Sequence, residues 1–337
     1  MDNSTTDFVP QGLISDATLA SLSVLFKLIV NPALGIMGLC TNIINIVVFY
    51  KMGLADGVTQ NFFILSISDC CLSSLSLTSS VAYILYSEVF DGLGGPEYQA
   101  QVVYGASILI GTFPQSVSLV TTVVIAVVRC CCVAIPLRVK LLMTARRQLA
   151  VILTFTSCSA VLLIYAFSPS RVIFVHNPLT NASFILIVDL KWYEYTVFSN
   201  LSSYIGFIIV ITCVIILTIS LNKASNFRDK TTGGPLTSVG EQTKDGSREA
   251  RIIKTVMFVS IVFILCYIPA MVLTMIGTLV EEFSLDGIYS NANLLNLMVM
   301  EMFIVINATV NIFIYYFFNT RYRTIFHTTF KNKPSEN

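Results

Sequence analysis

Charge is scarce in this chain: Asp, Glu, Lys and Arg make up 12% of its 337 residues, against 55% hydrophobic residues. An ordinary soluble domain carries about 25% charged residues, so this composition excludes one and makes the bilayer the first solvent to consider. Histidine is nearly absent, with only His176 and His327, and no HExxH, GxSxG or paired intramembrane carboxylates occur. Hydrolytic and transition-metal chemistry therefore have little to use, and a non-enzyme without a transition-metal site is expected. The net charge of +1 carries no nucleic-acid signature.

In place of charge there are long apolar runs. Residues 102–128 and 255–280 contain no Asp, Glu, Lys or Arg at all, and a spanning helix needs about 20 such residues. Five further segments meet the same requirement less strictly, which predicts seven helices at 24–50, 59–85, 102–133, 148–170, 194–222, 251–280 and 290–318. The expected fold is an all-α, seven-transmembrane bundle. The start, MDNSTTDFVP, lacks the basic stretch and apolar core of a cleavable signal, so the first helix is expected to act as the insertion signal.

Orientation follows from the basic residues, because Lys-rich and Arg-rich loops stay on the cytoplasmic side. With residues 1–23 outside, 17 of the 20 basic residues fall inside, and nine acids lie in outer segments that carry no basic residue. The three exceptions are Arg171, Lys191 and Lys27; the last is expected to snorkel outward from the first helix. The sequons at Asn3 and Asn181 fall outside and are expected glycan acceptors. Residues 223–250, polar and rich in Gly, Ser and Thr, are expected to form a mobile inner loop. Residues 319–337 read as a short amphipathic eighth helix followed by a tail. No cysteine falls in an outer loop, so no disulfide is expected on the oxidising side. In Arg129-Cys-Cys-Cys132, neighbouring helical side chains point about 100° apart and cannot converge on zinc.

Several short patterns occur in order. They are Gly38-Leu-Cys-Thr-Asn42, Leu65-Ser-Ile-Ser-Asp69, Arg129 with Pro136 seven residues on, Phe263-Ile-Leu-Cys-Tyr267-Ile-Pro269, and Asn311-Ile-Phe-Ile-Tyr315. Together they resemble rhodopsin-like G-protein-coupled receptors. The stretches Phe49–Asp69 and Arg129–Lys140 resemble the chemosensory receptors of gastropod molluscs in particular. There are departures from the pattern. Val128 stands where the family has an acid before the arginine, Ile312 replaces the helix 7 proline, Tyr267 replaces a tryptophan, and Tyr104 replaces the disulfide cysteine.

The resemblance implies a plasma-membrane receptor that binds an extracellular ligand and activates a heterotrimeric G protein. It implies a sodium pocket at Asp69, Ser118, Asn307 and Asn311, for which a hydrogen-bonded packing knot without sodium is the alternative. It places Glu301, Gly111, Gln115 and Tyr267 in a ligand cavity, with Ser107 and Thr112 beside them. Glu301 is then either a counter-charge or hydrogen-bond acceptor for ligand, or a protonated or internally paired carboxyl. Gly111 stands where amine receptors hold an aspartate, which disfavours an amine, and Val305 stands where opsins hold a lysine, which disfavours retinal. Arg129, Tyr315 and Pro136 fall at the coupling end, and a resting Arg129–Glu249 bridge is expected. A small environmental chemical is the expected ligand, with a neuropeptide as the alternative. A transporter or channel would instead use Asp69 and Glu301 as pathway residues, but no inverted repeat supports one.

Overall fold

The computed structural model describes residues 12–90, 96–134, 143–168, 171–177, 182–188, 192–231, 242–283 and 287–330. Seven helices in it are long and apolar enough to cross a membrane. We number the helices α1 (Asp16–Met52), α2 (Gly57–Phe90), α3 (Pro96–Ala134), α4 (Ala145–Phe167), α5 (Trp192–Thr231), α6 (Gln242–Leu279), α7 (Ser290–Phe318) and α8 (Thr320–Phe330). The apolar runs predicted the spans but not their ends. α1 starts at Asp16 rather than 24, since Ser15 caps it by accepting from the Thr18 N–H and Asp16 complements the helix dipole. Residues 16–23 are too polar for a hydropathy criterion to count them as helix.

The inner loop is shorter than residues 223–250. α5 runs to Thr231 and α6 begins at Gln242, because a water-facing helical extension needs no apolar run and nothing breaks α5 before Gly233-Gly-Pro235. Residues 232–241 lie outside the described residues. On the outer side a short hairpin accompanies the all-α bundle. β1 (Arg171–Asn177) and β2 (Ala182–Val188) pair antiparallel with Phe174 opposite Ile185. Both segments are rich in β-branched and aromatic residues, the signal a strand leaves in sequence.

α1 contains a wider turn. Phe26–Val30 is π-helical, with the Asn31 N–H bonded to the Phe26 carbonyl five residues back. Pro32 accounts for it, since its ring has no N–H to donate and crowds the carbonyl four residues earlier. The turn matters because Lys27 lies within it.

Candidate functional site

The outer half of the bundle encloses a cavity of about 170 Å³. α2 lines it with Leu72, Leu75, Ser76 and Ser79, and α3 with Ser107, Gly111, Thr112 and Gln115. α5 adds Ser199, Asn200 and Ser203, and α7 adds Leu297, Met300, Glu301, Ile304 and Val305. Sequence reasoning placed five of these here: Ser107, Gly111, Thr112, Gln115 and Glu301. Tyr267 is a correction. It is 2% exposed and stacks on Phe263 at 4.2 Å between ring centroids, packed with Leu119, Val210 and Cys213 instead of lining the cavity. The Gln115 side chain lies beside its hydroxyl, so Tyr267 stands behind a lining residue.

Glu301 is internally paired. Lys27 Nζ donates to its Oε2 at 3.1 Å, and Ser76 Oγ donates to Oε1 at 3.0 Å. Lys27 is only 1% exposed and Glu301 15%, which corrects the expectation that this lysine snorkels outward. A charge in the hydrocarbon is tolerated when it faces the bundle and meets an opposite charge. Asn31, one turn inward of Lys27, is wholly buried, and neither amide atom has a hydrogen-bond partner among the described residues. The same holds for the buried hydroxyls of Ser79 and Ser80. Across the cavity, Thr112 donates to the Tyr195 hydroxyl at 2.8 Å and so ties α3 to the start of α5. None of Lys27, Asn31, Ser76 and Tyr195 was singled out for this site from sequence; a proline one turn after an intramembrane lysine was the available signal for the first two.

Leu72 and Val305 pack with Ala308 beneath the cavity. Three residues inward of Leu72, Asp69 is 1% exposed and accepts from Ser118 Oγ and from Asn311 Nδ2, each at 2.9 Å. Asn307 is buried a turn away on α7. The structure therefore brings Asp69, Ser118 and Asn311 into direct contact. The Asp69 carboxylate and the Ser118 hydroxyl are hard oxygen donors, the chemistry a small hard cation needs, while Asn311 presents its amide nitrogen to Asp69. Among the described residues no group of three or more His, Cys, Asp or Glu could hold a metal.

At the inner end, Tyr315 is wholly buried among Phe49, Phe62 and Tyr322, with ring centroids 5.0, 4.8 and 5.7 Å away. Its hydroxyl has no hydrogen-bond partner among the described residues. Tyr322, on α8, donates to Asn45 Oδ1 at 2.6 Å. Burial raises its phenol above the usual range, so the donor proton stays in place at neutral pH. Asn45 in turn donates to Asn42, and Asn42 donates to the Ala308 carbonyl at 2.9 Å, which joins α8 to α1 and α7.

Arg129 is half-buried at the inner end of α3. Val128, at the position of the missing acid, is buried against Ile152 of α4. That side chain thus serves packing. The Glu249 side chain, Pro136, Asn3 and Asn181 lie outside the described residues, so the expected Arg129–Glu249 bridge and the two glycan sites do too.

The architecture is a bundle of seven apolar helices with an outer cavity above a buried carboxylate knot. The family model described as 7 transmembrane receptor (rhodopsin family) matches residues 41–315. The chain belongs to that family and is a multi-pass protein of the plasma membrane. No curated protein matches it.

Proposed function

We propose that this receptor detects a small extracellular chemical in the outer cavity and activates a heterotrimeric G protein at its inner face. The observation that carries this is the cavity itself, about 170 Å³ and walled by hydroxyl, amide and apolar groups. Ligand pockets commonly span about 300–1,000 Å³, so the space favours a compact molecule over a neuropeptide. The likeness of the Phe49–Asp69 and Arg129–Lys140 stretches to gastropod chemosensory receptors supports an environmental ligand.

Asp69, Ser118, Asn307 and Asn311 would hold a sodium ion, which supplies a positive charge to the knot and ties α2, α3 and α7 together. The ligand-bound state would loosen that knot through Leu72 and Val305, which contact both cavity and core. Tyr315, whose hydroxyl has no partner among the described residues, gains from any conformation that supplies one. Glu249 would restrain Arg129 at rest, the role that Val128, which offers no charge, leaves unfilled. Glu249→Ala should therefore raise basal G-protein activation in a cell assay; unchanged basal signalling would remove that restraint from the mechanism.

The class-level test compares two readouts in cells expressing the receptor and exposed to a panel of small chemicals. Chemical-driven G-protein activation is expected, with a sodium dependence that Asp69→Asn abolishes. Ligand-independent ion flux, lost on Asp69→Asn or Glu301→Gln, would favour a transport pathway instead.

A further inference from the structure

Among the described residues lining the outer cavity, Glu301 alone carries charge, and that charge is met from behind the wall. Lys27 reaches it at 3.1 Å but is 1% exposed and does not line the cavity. The pair therefore shows the cavity a neutralised carboxylate and no ammonium. A lone carboxylate here would draw in organic cations, because unit charges interact strongly across a partly dry wall. What remains for a ligand is hydrogen-bonding capacity. The Ser79 hydroxyl lines the cavity without a partner among the described residues, and Ser107, Thr112 and Gln115 line the same space, Thr112 with its proton given to Tyr195 and Gln115 beside the Tyr267 hydroxyl.

We propose that Lys27 sets the ligand class of the outer cavity: by holding Glu301 it makes the site select uncharged, hydrogen-bonding molecules and reject organic ammonium ions. Lys27 acts through Glu301 and contacts no ligand itself. The inference rests on the outer cavity being the ligand site.

The local potential is measurable without knowing the ligand. A Cβ built at Gly111 meets nothing within 4 Å, so Gly111→Cys places a thiol in the cavity without a clash. Its thiolate attacks the sulfur of a methanethiosulfonate, a mixed disulfide forms and the sulfinate leaves. Rates are compared for the cationic aminoethyl, neutral methyl and anionic sulfonatoethyl reagents on full-length receptor in membranes, with the Gly111 parent correcting for the native cysteines. Normalised to a free thiol, the cation-to-anion ratio should lie near unity in Gly111→Cys. It should rise about tenfold with added Lys27→Met, stay put with Lys27→Arg, and return toward unity in Lys27→Met/Glu301→Gln. If Lys27→Met alone folds poorly, Glu301→Gln gives the converse test: it leaves the ammonium unpaired, and the ratio should fall below unity.

A ratio already far above unity in Gly111→Cys, or one unmoved by removing Lys27, overturns the proposal. Blocking the thiol with the neutral reagent should also change basal G-protein activation. If blocking leaves it unchanged, the cavity does not govern signalling, and the proposal falls with that reading. A ratio unmoved by Lys27→Met in a receptor whose signalling responds to the block refutes the Lys27 assignment alone.

Discussion

At the outer end, α1, α2 and α7 meet through Lys27, Ser76 and Glu301; at the inner end the same three helices meet through Phe49, Phe62 and Tyr315. The outer junction is ionic, borders a cavity, and leaves the polar atoms of Asn31 and Ser79 without partners among the described residues. The inner junction interlocks rings at centroid distances of 4.8 to 5.7 Å, and α8 closes it through Tyr322. Ion pairs depend on charge and geometry and fail sharply when one partner goes. Ring packing degrades in smaller steps as volume is lost. The contrast suits an end that must discriminate among molecules and an end that must hold one shape until driven to another.

The largest effect should come from splitting the outer pair. Lys27→Met strands Glu301 and is expected to cost about 3–5 kcal/mol, read as reduced surface expression and a lowered unfolding temperature in detergent. Lys27→Met/Glu301→Gln should recover most of the loss; a double variant as poor as the single would show that the lysine acts by packing instead of charge.

Next in size is the seam between the two ends. A Cβ at Gly38 would run into the Ser73 hydroxyl and lie 2.9 Å from Thr309 Oγ1. Both hydroxyls are committed to backbone carbonyls, of Asp69 and Val305. Gly38→Ala should destabilise by about 1–3 kcal/mol, measured by thermal unfolding.

At the inner end, Tyr322→Phe keeps the ring but leaves Asn45 Oδ1 without its phenol donor, a loss of about 1–3 kcal/mol. Because the folded state holds this proton more tightly than a free phenol does, the contribution is full at neutral pH. It falls only as pH rises beyond the ordinary phenol value of 10.0. A wild-type advantage that vanished between pH 6 and 8 would contradict this assignment (both values are about two or more units below that range). Smallest of all, Gly111→Ala should change stability by less than about 0.5 kcal/mol, since it projects into open space. A large loss there would show that the cavity is filled.

Much of this was legible from composition and spacing. The bilayer demands about 20 apolar residues per crossing, so the seven spans stood out, and α7 at Ser290–Phe318 matched its expected limits. Asp69, Ser118 and Asn311 were legible because each sits at a fixed offset from an ordered motif, and rigid helices convert offset into position. The extensions of α1, α5 and α6 were not, because helix in water leaves no hydropathic trace. Lys27 and Glu301 lie 274 residues apart, and no local pattern encodes such a pairing. A lysine near the outer end of a helix reads as solvated, and only its place in a π turn reverses that.

That turn also has an evolutionary consequence. A π turn accommodates one residue more than the regular helix around it, and each residue advances a helix by about 100°. Deleting a single residue between Phe26 and Val30 would restore the regular pitch and rotate everything before it, carrying Lys27 off the face that meets Glu301. One codon lost or gained at this point could thus exchange a receptor for neutral molecules for one that accepts cations, with every residue lining the cavity left unchanged.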